Sequence, residues 1–343
     1  MLARNRFTNG LLGFTVLLGF VAVLSVFTHA ADPGSANWKK LSPATSPSAR
    51  YLPTMAYDPV SKKVVLFGGV GKTFLNDTWT FDGTTWSKQS TAVAPPARTG
   101  ASMAFDQHIQ KLVMFGGFSG HQDRKAFLQD TWLWDGSTST WTEATMKKSP
   151  PRATGAVVFS DPLTGRAIMF GGYNPFKPKF PVYGTTWRWT GSAWQKLHPT
   201  VSATPRGWGM AVLDRARKNV VLTGGEADLL RTDNTWTWDG KTWTQQFPAT
   251  QVDALTSAGI AFDEDSQLVI LFGGWGGPNG EETNQTWSWD GNNWVLLNPA
   301  KVPSARDGMG MAYDPGLHQV VMFGGELSLE GKVLGDSWKW TGK

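Results

Sequence analysis

Hydrophobic positions along this chain come in short bursts separated by polar or glycine-rich punctuation, and the bursts repeat. One kind is a β-branched or apolar run closing on two glycines: "VVLFGG" at Gly68, "LVMFGG" at Gly116, "AIMFGG" at Gly171, "VVLTGG" at Gly224, "VILFGG" at Gly273 and "VVMFGG" at Gly324. The copies are spaced 48, 55, 53, 49 and 51 residues apart. Each follows an apolar segment ending near an aspartate, such as "MAYDP" or "IAFDE", and precedes "[DTNQ][TS]W" with another aromatic two places on. A turn, mostly "DG", then leads to one more tryptophan in five of the six units: Trp86, Trp141, Trp194, Trp243 and Trp294. Alternation along "DTWTFD" puts its two aromatics on one strand face. The Asp-Gly pair signals a tight hairpin, and the double glycine ends a strand where the backbone bends without a Cβ in the way. Each unit therefore predicts four short strands, here a, b, c and d in chain order.

The sixth unit stops at Lys343 after "DSWKWTGK", without its strand d. A matching piece, "ANWKKL" at 36–41, stands alone near the start, with Trp38 where Trp86 or Trp294 stands elsewhere. The expectation is an all-β, six-bladed propeller whose N-terminal strand (36–41) completes the C-terminal blade, so that the ring closes without a dangling edge. The blades run at about 50–90, 98–145, 152–198, 206–248, 255–298 and 306–343 plus 36–42. The double glycine, the "ND-x-W-x-[FW]-D" segment and the later tryptophan resemble the kelch motif over nearly all of 36–343. That resemblance implies a fold that hosts binding proteins and several unrelated enzymes, so it does not specify function.

Ahead of the repeats, Arg4 and Arg6 precede an apolar run from Leu11 to Phe27 and then "THA" before "ADP". The order reads as a secretory signal peptide over 1–30 cut after Ala30, with a single propeller at 31–343 that is secreted or periplasmic, without stable membrane insertion, and monomeric. The alternative is an uncleaved anchor. Of 32 basic residues the leader holds two, and of 27 acidic residues none, so the remainder carries about +3. With the basic residues scattered rather than clustered, nucleic acid is not an expected partner. There is no cysteine, which excludes disulfides and thiolate metal sites. It also excludes the copper-radical chemistry of the galactose oxidase relatives, which needs a cysteine-modified tyrosine. The five histidines show no metal-ligand spacing, and no metal or cofactor is expected.

The chain carries 19 tryptophans, and 17 of them fall in the strand c and d registers, where they pack one blade on the next. Trp208, at the start of strand a in blade four, and Trp275, after the double glycine of blade five, lie outside that pattern. Kelch-like wiring implies that the d-to-a and b-to-c connections share one face, and the b-to-c loops vary most, as functional loops on a rigid scaffold do. Trp208 and Trp275 are therefore ligand-binding candidates there. Counting back eight residues from the position that closes strand a gives Arg50, Arg98, Arg152, Arg206 and Arg306, with Leu255 in blade five. Such a ring of forked cations suits anionic ligands, and in some kelch proteins arginines near this part of the blade form a basic pocket. The alternative is that each arginine is structural. Glu226 and Glu326 follow the double glycines of blades four and six and are weak catalytic candidates, since a carboxylate beside an arginine can act as acid or base. The resemblance to sialic-acid mutarotase propellers implies the same combination. The expected function is a binding scaffold for a carbohydrate, an anionic ligand or a protein partner, without chemistry. The alternative is a sugar-active enzyme of the epimerase, mutarotase or lyase type, working at the channel mouth.

Overall fold

In the computed structural model, the structure describes residues 36–342 apart from 122, 147, 178–180, 228–229 and 278–279. The expected leader, 1–30, lies outside the described residues. Six four-stranded antiparallel sheets form the body. In blade one, strand a is Thr54–Asp58, b is Lys63–Phe67, c is Thr78–Phe81 and d is Trp86–Gln89, and the other five sheets repeat the order. Beyond these, the described residues hold two two-stranded ribbons and two 3-10 turns, Arg124–Ala126 and Ser328–Glu330. No helix among the described residues is long and apolar enough to cross a membrane.

Closure follows the expected scheme. Trp38–Lys40 pairs with Ser337–Trp340, in the register Trp38 to Trp340 and Lys40 to Trp338. The strand b runs are buried on both faces, which is why they read as continuous apolar stretches rather than alternating ones. Each of the six core clusters draws on two consecutive blades. Trp38, for example, packs with Phe272 of blade five and Val320, Met322 and Trp340 of blade six, and Val64, Leu66 and Trp86 of blade one pack with Val321 and Phe323 of blade six.

The polar letters of the repeat explain themselves at these interfaces. Every strand d tryptophan donates its indole N–H to the Thr or Ser that opens strand c of the preceding blade: Trp38 to Thr286 (2.9 Å), Trp86 to Ser337 (3.0 Å), Trp141 to Thr78 (2.9 Å), Trp194 to Thr131 (2.8 Å), Trp243 to Thr186 (3.0 Å) and Trp294 to Thr235 (2.9 Å). A buried indole needs such an acceptor. Trp38 takes its partner from blade five, as strand d of blade six must.

A second circle lies at the centre. Leu52, Gly100, Gly155, Trp208, Ser257 and Gly308 all have positive φ, between 49° and 62°. Each donates its backbone N–H to the carbonyl of the equivalent residue one blade back, and Leu52 to Gly308 (2.7 Å) joins first to last. The channel mouth is thus a continuous belt of peptide hydrogen bonds. Glycine enters this conformation readily, whereas a side chain there costs on the order of 1 kcal/mol. Leu52, Trp208 and Ser257 adopt it because the belt fixes them.

Candidate functional site at the loop face

The five arginines come first, because they carried the expectation of an anionic pocket. Four are fully buried: Arg50, Arg98, Arg206 and Arg306 are 0–2% exposed. Each guanidinium is engaged inside its own blade, on the carbonyl of the first glycine of the pair and on the residue that begins "[DTNQ][TS]W". Arg98 reaches Gly116 O (2.9 Å) and grips Asp130 with two bonds of 2.7 Å, and Arg50 and Arg306 hold Asp77 and Asp336 alike. Burial alone would push those three carboxyls up, but the arginine's hydrogen bonds and charge, with a tryptophan N–H, leave them below the usual range. Arg206 faces Asn234 instead (2.6 Å), and burial without a carboxylate pushes its guanidinium down to about 10.

Arg152 is not the fifth member. In blade three the buried closing aspartate is Asp161, one residue beyond the counted position, so Ala153 takes the place of the arginine. Ala153 O accepts from Gly117 N (2.9 Å), as Arg98 O does from Gly69 N (2.8 Å). Arg152 is half-buried and donates to Phe127 O (3.1 Å). The expected ring of ligand-facing arginines is therefore not formed. Its four buried members clamp strand a to the b-to-c connection, with their guanidinium N–H groups committed to partners inside the blade.

Above the clamps sits a working surface. Residues directly after the double glycines occupy one equivalent position in every blade: Val70, Phe118, Tyr173, Glu226, Trp275 and Glu326. Each pairs through its backbone with the residue one past the clamp, namely Tyr51, Thr99, Thr154, Gly207, Thr256 and Asp307. Three sequence candidates, Glu226, Trp275 and Glu326, thus fall together on the same circle over consecutive blades. Glu226 and Glu326 each open a small ribbon, Glu226–Ala227 with Leu230–Arg231 and Glu326–Leu327 with Lys332–Val333.

The mouth divides into two arcs. Over blades one to three, aromatic rings lean on one another in sequence: Phe74 on Phe118 (5.8 Å), Phe118 on Phe127 (5.0 Å), and Phe127 on both Tyr173 (6.4 Å) and Phe176 (6.0 Å). Over blades four to six the surface is polar. Trp275 is 40% exposed, and the guanidinium of Arg231 from the neighbouring ribbon lies 4.4 Å from its ring centre. Beyond it, Glu282 is buried and accepts from Ser328 N (2.9 Å), while Glu326 accepts from Ser328 Oγ (3.2 Å). Asp307 ends the arc. It is 4% exposed, receives the Tyr51 hydroxyl from blade one on Oδ2 (3.1 Å), and has no partner for Oδ1 among the described residues. Burial pushes its carboxyl up to about 7; the Tyr51 bond opposes this, and the charges of Glu326 and Glu282 add to it. Burial, with Glu282 adding and Ser328 opposing, also raises Glu326. Burial and the Asp307 and Glu326 charges raise the Tyr51 phenol.

Trp208 belongs to the channel rather than the rim. Its ring lies across the two preceding belt glycines: a Cβ built on Gly155 would stand 2.6 Å from it, and one on Gly100 would stand 3.0 Å away. The cavity beneath has a volume of about 190 Å³, below the roughly 300 Å³ at which pockets enclose a small molecule. Among the described residues no group of three or more His, Cys, Asp or Glu side chains could hold a metal ion.

Tyr51, Asp307, Glu282 and Arg231 were not among the sequence candidates. Asp307 had a signal: once the units are superposed on the clamp, the next position reads Tyr, Thr, Thr, Gly, Thr, Asp, and only blade six places a carboxylate there. Arg231 and Glu282 had none, since they stand in loops of unequal length.

The comparisons with known proteins agree with this architecture. The family model described as the KLHDC2/KLHL20/DRC7 Kelch-repeats domain matches residues 24–187, just under half of the chain. The chain is a six-bladed β-propeller, similar over those residues to the kelch-repeat model. Among solved structures, that of YjhT covers 86% of this chain and 95% of its own at 18% identity, with a TM-score of 0.65. At that identity the likeness is one of fold. No curated protein matches the sequence.

Proposed function

We propose that this kelch propeller is a binding scaffold whose loop face receives a carbohydrate, and that it works in a secreted or periplasmic setting. The observation that carries the reading is Trp275, a large exposed ring held between Arg231 and the Glu282–Glu326–Asp307 arc. A sugar offers a C–H face for an aromatic ring and hydroxyls for carboxylates and guanidinium, and that pairing of surfaces is what this arc presents. The small channel cavity favours a ligand laid across the mouth over one swallowed by it. With four arginines sealed in their clamps, an anionic ligand has lost most of its support. A glycan array followed by calorimetry on the best hit tests the proposal. Trp275→Ala is expected to weaken binding about tenfold or more, equivalent to about 1.4 kcal/mol. Equal affinity in wild type and variant, or a hit list without glycans, would contradict it. The leader reading is checked by N-terminal sequencing of the protein recovered outside the cytoplasm, where Ala31 is the expected first residue.

One observation favours the enzymatic alternative. A carboxyl held near 7 beside a phenol is matched to proton transfer at neutral pH. If a bound sugar is turned over, Asp307→Asn should abolish turnover while binding persists.

A further inference from the structure

The opposite end of the channel, where the a-to-b turns emerge, holds a second and chemically different cavity of about 280 Å³. The residue before each closing aspartate lines it: Tyr57, Phe105, Ser160, Leu213, Phe262 and Tyr313. Four of the six are aromatic. Tyr57, Phe105 and Tyr313 are half-buried: each packs on one side against an inter-blade core and also lines the cavity. No two of these four rings pack on each other among the described residues; each belongs to a different inter-blade cluster and meets the others only around the cavity.

Negative charge lies behind and beside this aromatic wall. The six closing aspartates, Asp58, Asp106, Asp161, Asp214, Asp263 and Asp314, are 0–2% exposed. They cap the turns through backbone N–H groups, as Asp106 does for His108 (2.9 Å) and Asp314 for Gly316 (2.9 Å). Glu264 stands on the rim, and Asp265 accepts from Tyr313 Oη (3.5 Å) and His318 Nδ1 (2.9 Å). Of the cations at this end, Arg215, which also lines the cavity, pairs with Glu264 (3.1 Å), and Arg217 pairs with Asp214 (3.0 Å). The tyrosines register the field. Burial and then the surrounding carboxylates raise both phenols above their ordinary range.

This combination selects among ligands. A metal ion needs oxygens inside the cavity, and the buried carboxylates are bound to their turns. A primary ammonium needs several acceptors, and most of the lining is aromatic or aliphatic. A methylated ammonium needs no acceptor at all. It is attracted to aromatic faces and to diffuse negative potential. We propose that the turn-side mouth is a cage for a small quaternary ammonium ligand, with Tyr57, Phe105 and Tyr313 as its walls. The site is independent of the loop-face reading, since it lies at the other end of the channel.

Choline and its neutral isostere 3,3-dimethylbutan-1-ol are the probes, titrated into the purified protein by methyl NMR and calorimetry. Choline is expected to shift the Leu213 and Ile260 methyls, which line the cavity, and to bind at least tenfold more tightly than the isostere. Tyr313→Leu and Phe105→Leu should each weaken choline binding about tenfold, and Trp275→Ala should leave it unchanged. Equal binding of the two probes would reduce the site to an apolar pocket and overturn the proposal. So would shifts confined to the loop face, or no shift at millimolar choline. Because the methyl shifts are read on wild type, a variant that fails to fold does not remove the test.

Discussion

At the scale of single residues, the arginine clamp shows how a charge can look functional in sequence and be architectural in space. The repeats themselves carry the clue. Blades with Arg50, Arg98, Arg206 and Arg306 have Asp77, Asp130, Asn234 and Asp336 at the partner position, whereas Ala153 and Leu255 go with Thr185 and Gln285. Blade four is the imperfect case, a buried guanidinium on a neutral amide. Asn234→Asp should complete it and stabilise the protein by on the order of 1 kcal/mol, the gap between a hydrogen bond with one charged partner and one with two; calorimetric melting at pH 7 reads this as a raised Tm. Asp307 gives a prediction of opposite kind. Its folded carboxyl titrates near 7 against an ordinary 3.8, so between those values the unfolded chain has released a proton that the folded chain keeps. Stability contributed at this residue is therefore undiminished below about pH 4 and lost progressively as pH rises to 7. Asp307→Asn should melt higher than wild type at pH 8 by a few kcal/mol equivalent, with the advantage vanishing near pH 4. An advantage that is flat in pH would refute the assigned shift.

At the scale of elements, the strands were legible and the site was not, for one physical reason. A blade must repeat the same packing six times, so Trp, Thr and double glycine recur at fixed spacing and can be counted. A site is a single event: Arg231 and Glu282 stand in loops that share no register with their counterparts, and only the fold brings them to Trp275 and Asp307. Arg152 shows the error in miniature, since one extra residue before Asp161 slid the count and gave an apparent clamp where Ala153 stands. Trp208 and Trp275, set apart because they broke the pattern, do lie at the channel and rim. The closing strand is the element most open to test. Trp38 is as buried as Trp141 and makes the same indole-to-threonine bond, though it lies only a few residues from the N-terminal edge of the folded ring. Trp38→Ala and Trp141→Ala should therefore cost similar stability, about 3–5 kcal/mol each. A frayed terminus would give less than about 1 kcal/mol for Trp38 alone, visible in urea denaturation.

At the scale of the whole molecule, the ring is held by three concentric systems: the inner peptide belt, the clamps above strand b, and the indole bonds between outer strands. The belt and the indole bonds visit every blade and the clamps four of the six, while the two mouths differ. One end offers a mixed rim of tryptophan, arginine and carboxylates, the other an aromatic wall before buried aspartates. The central claim is that the clamps hold the fold and the Trp275 arc meets the ligand. The most direct measurement crosses the two: Tm and glycan affinity for Arg98→Met and Trp275→Ala, side by side with wild type. The account predicts that Arg98→Met lowers Tm, reflecting about 3–5 kcal/mol from an orphaned Asp130, with affinity unchanged in the folded protein, and that Trp275→Ala leaves Tm unchanged and weakens binding about tenfold. Lost affinity in a fully stable Arg98→Met, or full affinity in Trp275→Ala, would contradict it.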